Sequence, residues 1–159
     1  MKPRVYLETS VLSYLTALPS RDLVRAAHQQ LTIEWWENRN RFEIFVSEPV
    51  LAEARQGDPE AAARRMAVAG ELVVLSATNE AQALAHVLLK VAALPEKAAI
   101  DAAHIAIATV HGLYFLLTWN CTHIANAIMR PRIEAACRDN GYQPPVICTP
   151  EELFFKEKK

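Results

Sequence analysis

Residues 98–120 read AAIDAAHIAIATVHGLYFLLTWN. The stretch from Glu96 to His111 reads as a helix, apolar nearly all round over its AAIDAAHIAIA run, opened by Pro95 and closed by Gly112. A short apolar strand over residues 114–117 follows, and it ends in the polar run Thr118-Trp119-Asn120. A buried helix that turns at a glycine into a buried strand is half of a strand–helix–strand unit. The rest of the chain repeats the alternation. Further strand-like runs lie at 4–7, 42–46, 72–75 and 146–148, all short, mainly apolar and bounded by polar or turn residues. Helical patterns fill the gaps at 11–15, 21–38, 49–55, 60–69 and 80–91. In the second of these, Leu23, Ala26, Ala27, Leu31 and Trp35 recur close to the helical period. Asp58-Pro59 supplies a helix cap and a first-turn proline, and Thr149-Pro150-Glu151-Glu152 repeats that signature near the end. The expected fold is α/β, a three-layer sandwich around a mainly parallel five-stranded sheet.

A chain of 159 residues buries one good core, so a single domain over 1–155 is expected, followed by a charged tail over 156–159. Apolar residues make up 52% and charged residues 22%, which excludes a disordered chain. No apolar run approaches the ~18 residues that span a bilayer, and the N-terminus lacks the pattern of a signal peptide. Cys121, Cys137 and Cys148 cannot all pair and match no zinc spacing, so reduced thiols in a cytoplasmic protein are expected. The net charge of −1 argues against a broad phosphate-neutralising surface. A nuclease whose bound cations contact the phosphate is partly exempt from that objection.

Ligands of an open parallel sheet bind beyond the carboxyl ends of its strands. Strand one ends in Glu8-Thr9-Ser10, strand two in Ser47-Glu48 ahead of Glu53, and the fourth strand in Thr118-Trp119-Asn120. Oxygen-bearing side chains therefore collect where a site is expected. The four glycines form no phosphate-binding loop, which weakens any nucleotide-cofactor reading. Asp101 is the most informative residue, because a carboxylate in so apolar a helix needs compensation. Lys97, four residues earlier, would supply it as a salt bridge, and a metal would supply it in a functional site. His104, one turn later, is either a substrate contact or a hydrogen-bonded core histidine. Thr9 and Ser10 are candidate caps for the first helix. Glu48 and Glu53 are five positions apart, about 140° around a helix, so Glu48 reads as a first-turn acid and not a second ligand.

Together these segments resemble the PIN-domain family, in particular VapC-type toxins. VYLETSVLSYL is similar to that family's opening strand and its acid. VSEPVLAEARQGD resembles the second motif, with Glu53 at the acidic position. AAIDAAHIAIATVHGLYFLLTWNCTHIAN is similar to the third and fourth motifs, and VICTPEELF to the closing strand and helix. The resemblance implies a PIN-like fold and a Mg²⁺- or Mn²⁺-dependent endoribonuclease, with Glu8, Glu53, Asp101 and Asn120 as metal ligands. Thr9, Ser10, His104 and Thr118 would stand behind them or meet substrate. It further implies an RNA substrate, a small antitoxin partner and a homodimer, to which the aromatic segment at Trp35 and Trp36 contributes surface or core. Two departures stand out: the family usually has Asp where this chain has Glu8, and often an acid at Asn120. They leave room for a weakened module that only binds RNA or a protein. A metal-dependent phosphatase on another α/β fold is a further alternative.

Overall fold

A computed structural model describes residues 1–91 and 94–154. The chain alternates as expected: β1 (Arg4–Leu7), α1 (Thr9–Thr16), α2 (Leu23–Glu37), β2 (Glu43–Ser47), α3 (Glu48–Ala54), α4 (Pro59–Ala69), β3 (Val73–Leu75), α5 (Asn79–Val91), α6 (Ala99–Val110), β4 (Phe115–Leu117), α7 (Met129–Asp139) and β5 (Val146–Cys148). All four strand pairings are parallel, in the order β3-β2-β1-β4-β5, so the five-stranded sheet is wholly parallel. β1 lies at its centre. Val5, Tyr6 and Leu7 are fully buried although neighbouring side chains point to opposite faces, which requires helices on both sides.

Local chemistry explains most boundaries. Asp58 accepts a hydrogen bond from the Ala61 amide and caps α4 with Pro59 in its first turn. Gly112 closes α6 at φ +70, while Leu113 N–H donates to Ala108 and Gly112 N–H to Thr109. That pair of bonds is a Schellman ending, and its left-handed residue explains the glycine. The cap of α1 differs from expectation. Glu8, not Thr9 or Ser10, is the N-cap, because its backbone is extended while Thr9 is already helical, and its carboxylate accepts the Ser10 amide. Thr149 and Glu152 exchange the hydrogen bonds of a capping box, but residues 150–153 form a turn and not a helix. The expected domain end at residue 155 and the charged tail lie outside the described residues.

α7 has no counterpart in the sequence expectation. Its run MRPRIEAACRD buries only Ile133, Ala136 and Cys137, a thin stripe, and Pro131 is tolerated because it falls within the first turn. Trp35 is core and not surface: it is 1% exposed and stacks on Phe42 at 5.7 Å. Trp36 is half-buried under the Arg39 guanidinium, 4.2 Å above its ring. Among the described residues no helix is long and apolar enough to cross a membrane.

Candidate metal centre

The strand order reverses between β1 and β4: the chain winds outward through β2 and β3 on one side and through β5 on the other. Such a switch point leaves a crevice at the carboxyl ends of the two central strands. Glu8 follows β1 there, and Thr118, Trp119 and Asn120 follow β4. The pairing continues one step past the strands, with Glu8 N–H donating to the Leu117 carbonyl, so the two polar segments are held side by side.

Two clusters occupy this crevice. In the first, ligand atoms of Glu8, Glu53 and His104 lie within 4.8 Å of one another. Glu8 is 5% exposed, and its carboxylate accepts from the Ser10 hydroxyl and amide and, at 2.6 Å, from the Thr118 hydroxyl. Glu53 arrives from α3, where it accepts at 2.6 Å from Thr9 Oγ1 and pairs at 2.6 Å with His104 Nε2. Burial alone would raise the Glu53 carboxyl, but the hydrogen bonds from His104 and Thr9 outweigh it and hold the group below the ordinary glutamate value. His104 is fully buried and uses both ring nitrogens, the second on the Tyr6 hydroxyl at 2.6 Å.

In the second cluster, Asp101 of α6 is bound by Asn120 Nδ2 at 3.1 Å and His123 Nδ1 at 2.9 Å. These partners, and not Lys97, compensate the carboxylate; Lys97 is exposed. Asn120 is spent on local structure, since its carbonyl oxygen accepts the amides of Thr122 and His123. The clusters meet at Thr118, whose hydroxyl donates to Glu8 and accepts the Asn120 amide. Of the expected four ligands, the structure thus sets Glu8 beside Glu53 and Asp101 beside Asn120. His123 is a partner of Asp101 that sequence reasoning did not single out. It lies in an irregular loop with no periodicity, and its only signal is a titratable side chain three positions beyond Asn120. Glu48 is the exposed first-turn acid of α3, and its carboxylate accepts the Ala77 amide at 3.5 Å.

The donor chemistry fits a hard divalent cation. Among the described residues no Lys or Arg pairs with Glu8, Glu53 or Asp101, and the only cation-capable partners are His104 and His123. A buried carboxylate held solely by neutral hydroxyl and amide donors, next to a second carboxylate, leaves negative charge uncompensated. Carboxylate oxygens are the ligands that Mg²⁺ and Mn²⁺ prefer.

The geometry of Asn120 yields a test of its own. Asn120→Asp replaces the amide donor to Asp101 with a second carboxylate. The variant without metal should lose about 1–3 kcal/mol of stability, the cost of an unmade hydrogen bond, with like-charge repulsion added. Thermal unfolding in the presence of a chelator reads this loss directly, and an unchanged melting temperature would contradict the observed bond.

No family model matches the sequence, and no curated protein matches it. Solved structures do. VapC20 of Mycobacterium tuberculosis, a sarcin-ricin loop cleaving toxin, aligns with a TM-score of 0.59 at 16% identity, over 87% of this chain and 95% of its own. VapBC2 from Rickettsia felis, solved bound to a DNA fragment from its promoter, aligns with a TM-score of 0.58 at 15% identity, over 92% and 98%. At such identities the likeness is one of fold, and the chain has the PIN-like α/β fold of the VapC structures, the fold its motifs resemble.

Proposed function

We propose that this chain is a metal-dependent endoribonuclease that hydrolyses RNA phosphodiesters, acting in the cytoplasm as the toxin of a toxin–antitoxin pair. The observation that carries the reading is the convergence of Glu8 and Glu53 at the switch point, with no Lys or Arg paired with them among the described residues. The shared fold of VapC20 and VapBC2 supports it. Glu8, Glu53 and Asp101 would hold one or two Mg²⁺ or Mn²⁺ ions through oxygen. When bound, such an ion supplies an acidified water and stabilises charge on the phosphate.

The chain's own residues do the rest. Ser10 and Thr118 fix the Glu8 carboxylate, and Thr9 and His104 fix that of Glu53, so neither has to be ordered when substrate arrives. Asn120 and His123 hold Asp101 in the same way. Asn120 therefore serves the site by supporting Asp101, and its own carbonyl is committed to the loop. A small antitoxin whose segment reaches the acidic crevice, and a homodimer, complete the proposal.

The test is direct: purified protein is incubated with structured RNA and Mg²⁺ or Mn²⁺, with and without chelator, and the product ends are mapped. Metal-dependent internal cleavage leaving 5′-phosphate and 3′-hydroxyl ends is expected. Hydrolysis of a small phosphomonoester with intact RNA would instead favour a phosphatase.

A further inference from the structure

A file of buried polar groups runs from the start of α3 to the candidate centre. Val50 N–H donates to Ser47 Oγ at 3.3 Å, Ser47 Oγ lies 2.6 Å from the Tyr6 hydroxyl, and that hydroxyl lies 2.6 Å from His104 Nδ1. His104 Nε2 then meets Glu53 Oε1 at 2.6 Å. Tyr6, Ser47 and His104 are all fully buried. They stand on β1, at the end of β2 and on α6, so three separate elements were brought together to build the file.

The donors in this file can be assigned by counting hydrogens. Glu53 as a carboxylate only accepts, so Nε2 of His104 carries a proton. If Nδ1 is then the acceptor, Tyr6 donates to it and Ser47 donates to Tyr6, while Ser47 accepts from Val50. Every hydrogen has an acceptor and every bond points towards Glu53. In the reverse order Nδ1–H would donate to Tyr6 and Tyr6 to Ser47, which strands the Ser47 hydroxyl hydrogen without an acceptor among the described residues. Buried polar groups are rarely left so.

We propose that His104 is a positioning residue, its proton fixed on Nε2 by the chain Ser47–Tyr6 so that it holds the Glu53 carboxylate in a single orientation. The role explains why a histidine and a tyrosine occupy wholly buried positions beside the candidate centre. It parallels the carboxylate–histidine arrangements that orient metal ligands from behind, with the order of the two groups exchanged. A chain that already points one way spares Glu53 any reorientation, and the Thr9 hydroxyl donates to the same oxygen. The inference rests on reading Glu53 as a cation-holding carboxylate, and the experiment separates the two.

The metal-free full chain with ¹⁵N-labelled histidine is studied by two-bond ¹H–¹⁵N NMR at neutral pH. His104 is expected as the Nε2–H tautomer, with Nδ1 shifted by a hydrogen bond. In Tyr6→Phe the Nδ1 resonance moves towards that of an unbonded ring nitrogen. A wild-type Nδ1–H tautomer, or an Nδ1 resonance indifferent to Tyr6→Phe, overturns the chain. Mn²⁺ titration reads the consequence: His104→Leu should weaken binding about tenfold, whereas His104→Gln, which keeps an N–H for Glu53, should stay within about threefold of wild type. Equal affinity in folded His104→Leu and wild type overturns the positioning role. Should His104→Leu fail to fold, Tyr6→Phe carries the comparison with wild type: weaker Mn²⁺ binding is expected, and equal affinity overturns the positioning role. A wild-type chain that binds no Mn²⁺ removes the function proposed above, and the histidine spectra then decide the chain by themselves.

Discussion

Glu53→Gln is expected to reduce RNA cleavage by at least about a hundredfold, the scale set by removing one preorganised electrostatic group from an active site. The Gln amide oxygen can still accept from Thr9 Oγ1 and His104 Nε2, so both bonds that place the side chain survive. The substitution removes one negative charge and little else, and thermal stability should change by no more than about 1 kcal/mol. Asp101→Asn is expected to be equally damaging to cleavage but less silent in the fold. Both partners of Asp101 are read as donors, Asn120 Nδ2 and His123 Nδ1, and an amide in its place opposes one of them with its own N–H group. That conflict should cost about 1–3 kcal/mol unless His123 changes tautomer to accept. Steady-state cleavage and thermal unfolding measured on both variants separate loss of charge from loss of structure. Wild-type cleavage by a folded Glu53→Gln would remove Glu53 from the machinery.

The second large effect is structural. Trp35→Ala should destabilise the protein by about 3–5 kcal/mol, the range for deleting a buried aromatic. In a chain of this size that is a fall of roughly 6–20 °C in melting temperature. Trp35 is 1% exposed and its ring stacks on Phe42, which in turn meets Phe115 of β4 edge-on, so the cavity opens beside the sheet. Trp36→Ala, which removes a half-buried ring beneath Arg39, should cost much less. Equal, small losses in the two variants, accompanied by a change in oligomeric state, would return this segment to an interface role.

The strands were legible because each is a short apolar run ended by a polar residue, and β1 and β5 begin and end where that pattern does. The helices with strong ends were legible too: Asp58 caps α4 through its side chain ahead of Pro59, and Gly112 closes α6 because glycine readily adopts the left-handed conformation there. α7 was not, since two arginines and a proline precede its three buried residues and the apolar stripe is only one side chain wide. At the candidate centre, the position of the acids past the strand ends could be read from the chain. Their partners could not. His104 meets Glu53 across 51 positions and Thr118 meets Glu8 across 110, and no local pattern encodes a contact that only the strand order creates. The same holds for Asn120. Its side chain is directed by amides in its own loop, a choice that depends on how Thr122 and His123 turn after β4 and not on residue type alone.

Glu8 and Glu53 are proposed to hold a divalent cation at the switch point of the sheet. Crystals of the full chain soaked in Mn²⁺, with diffraction recorded at a wavelength where manganese scatters anomalously, locate the ion without reference to activity. The account predicts an anomalous peak bonded to carboxylate oxygens of both Glu8 and Glu53, about 2.0–2.2 Å away, on the side facing Asp101. An anomalous map empty at that position under saturating Mn²⁺, or a peak held by other residues with both carboxylates still bound only to Ser10, Thr118, Thr9 and His104, would contradict it.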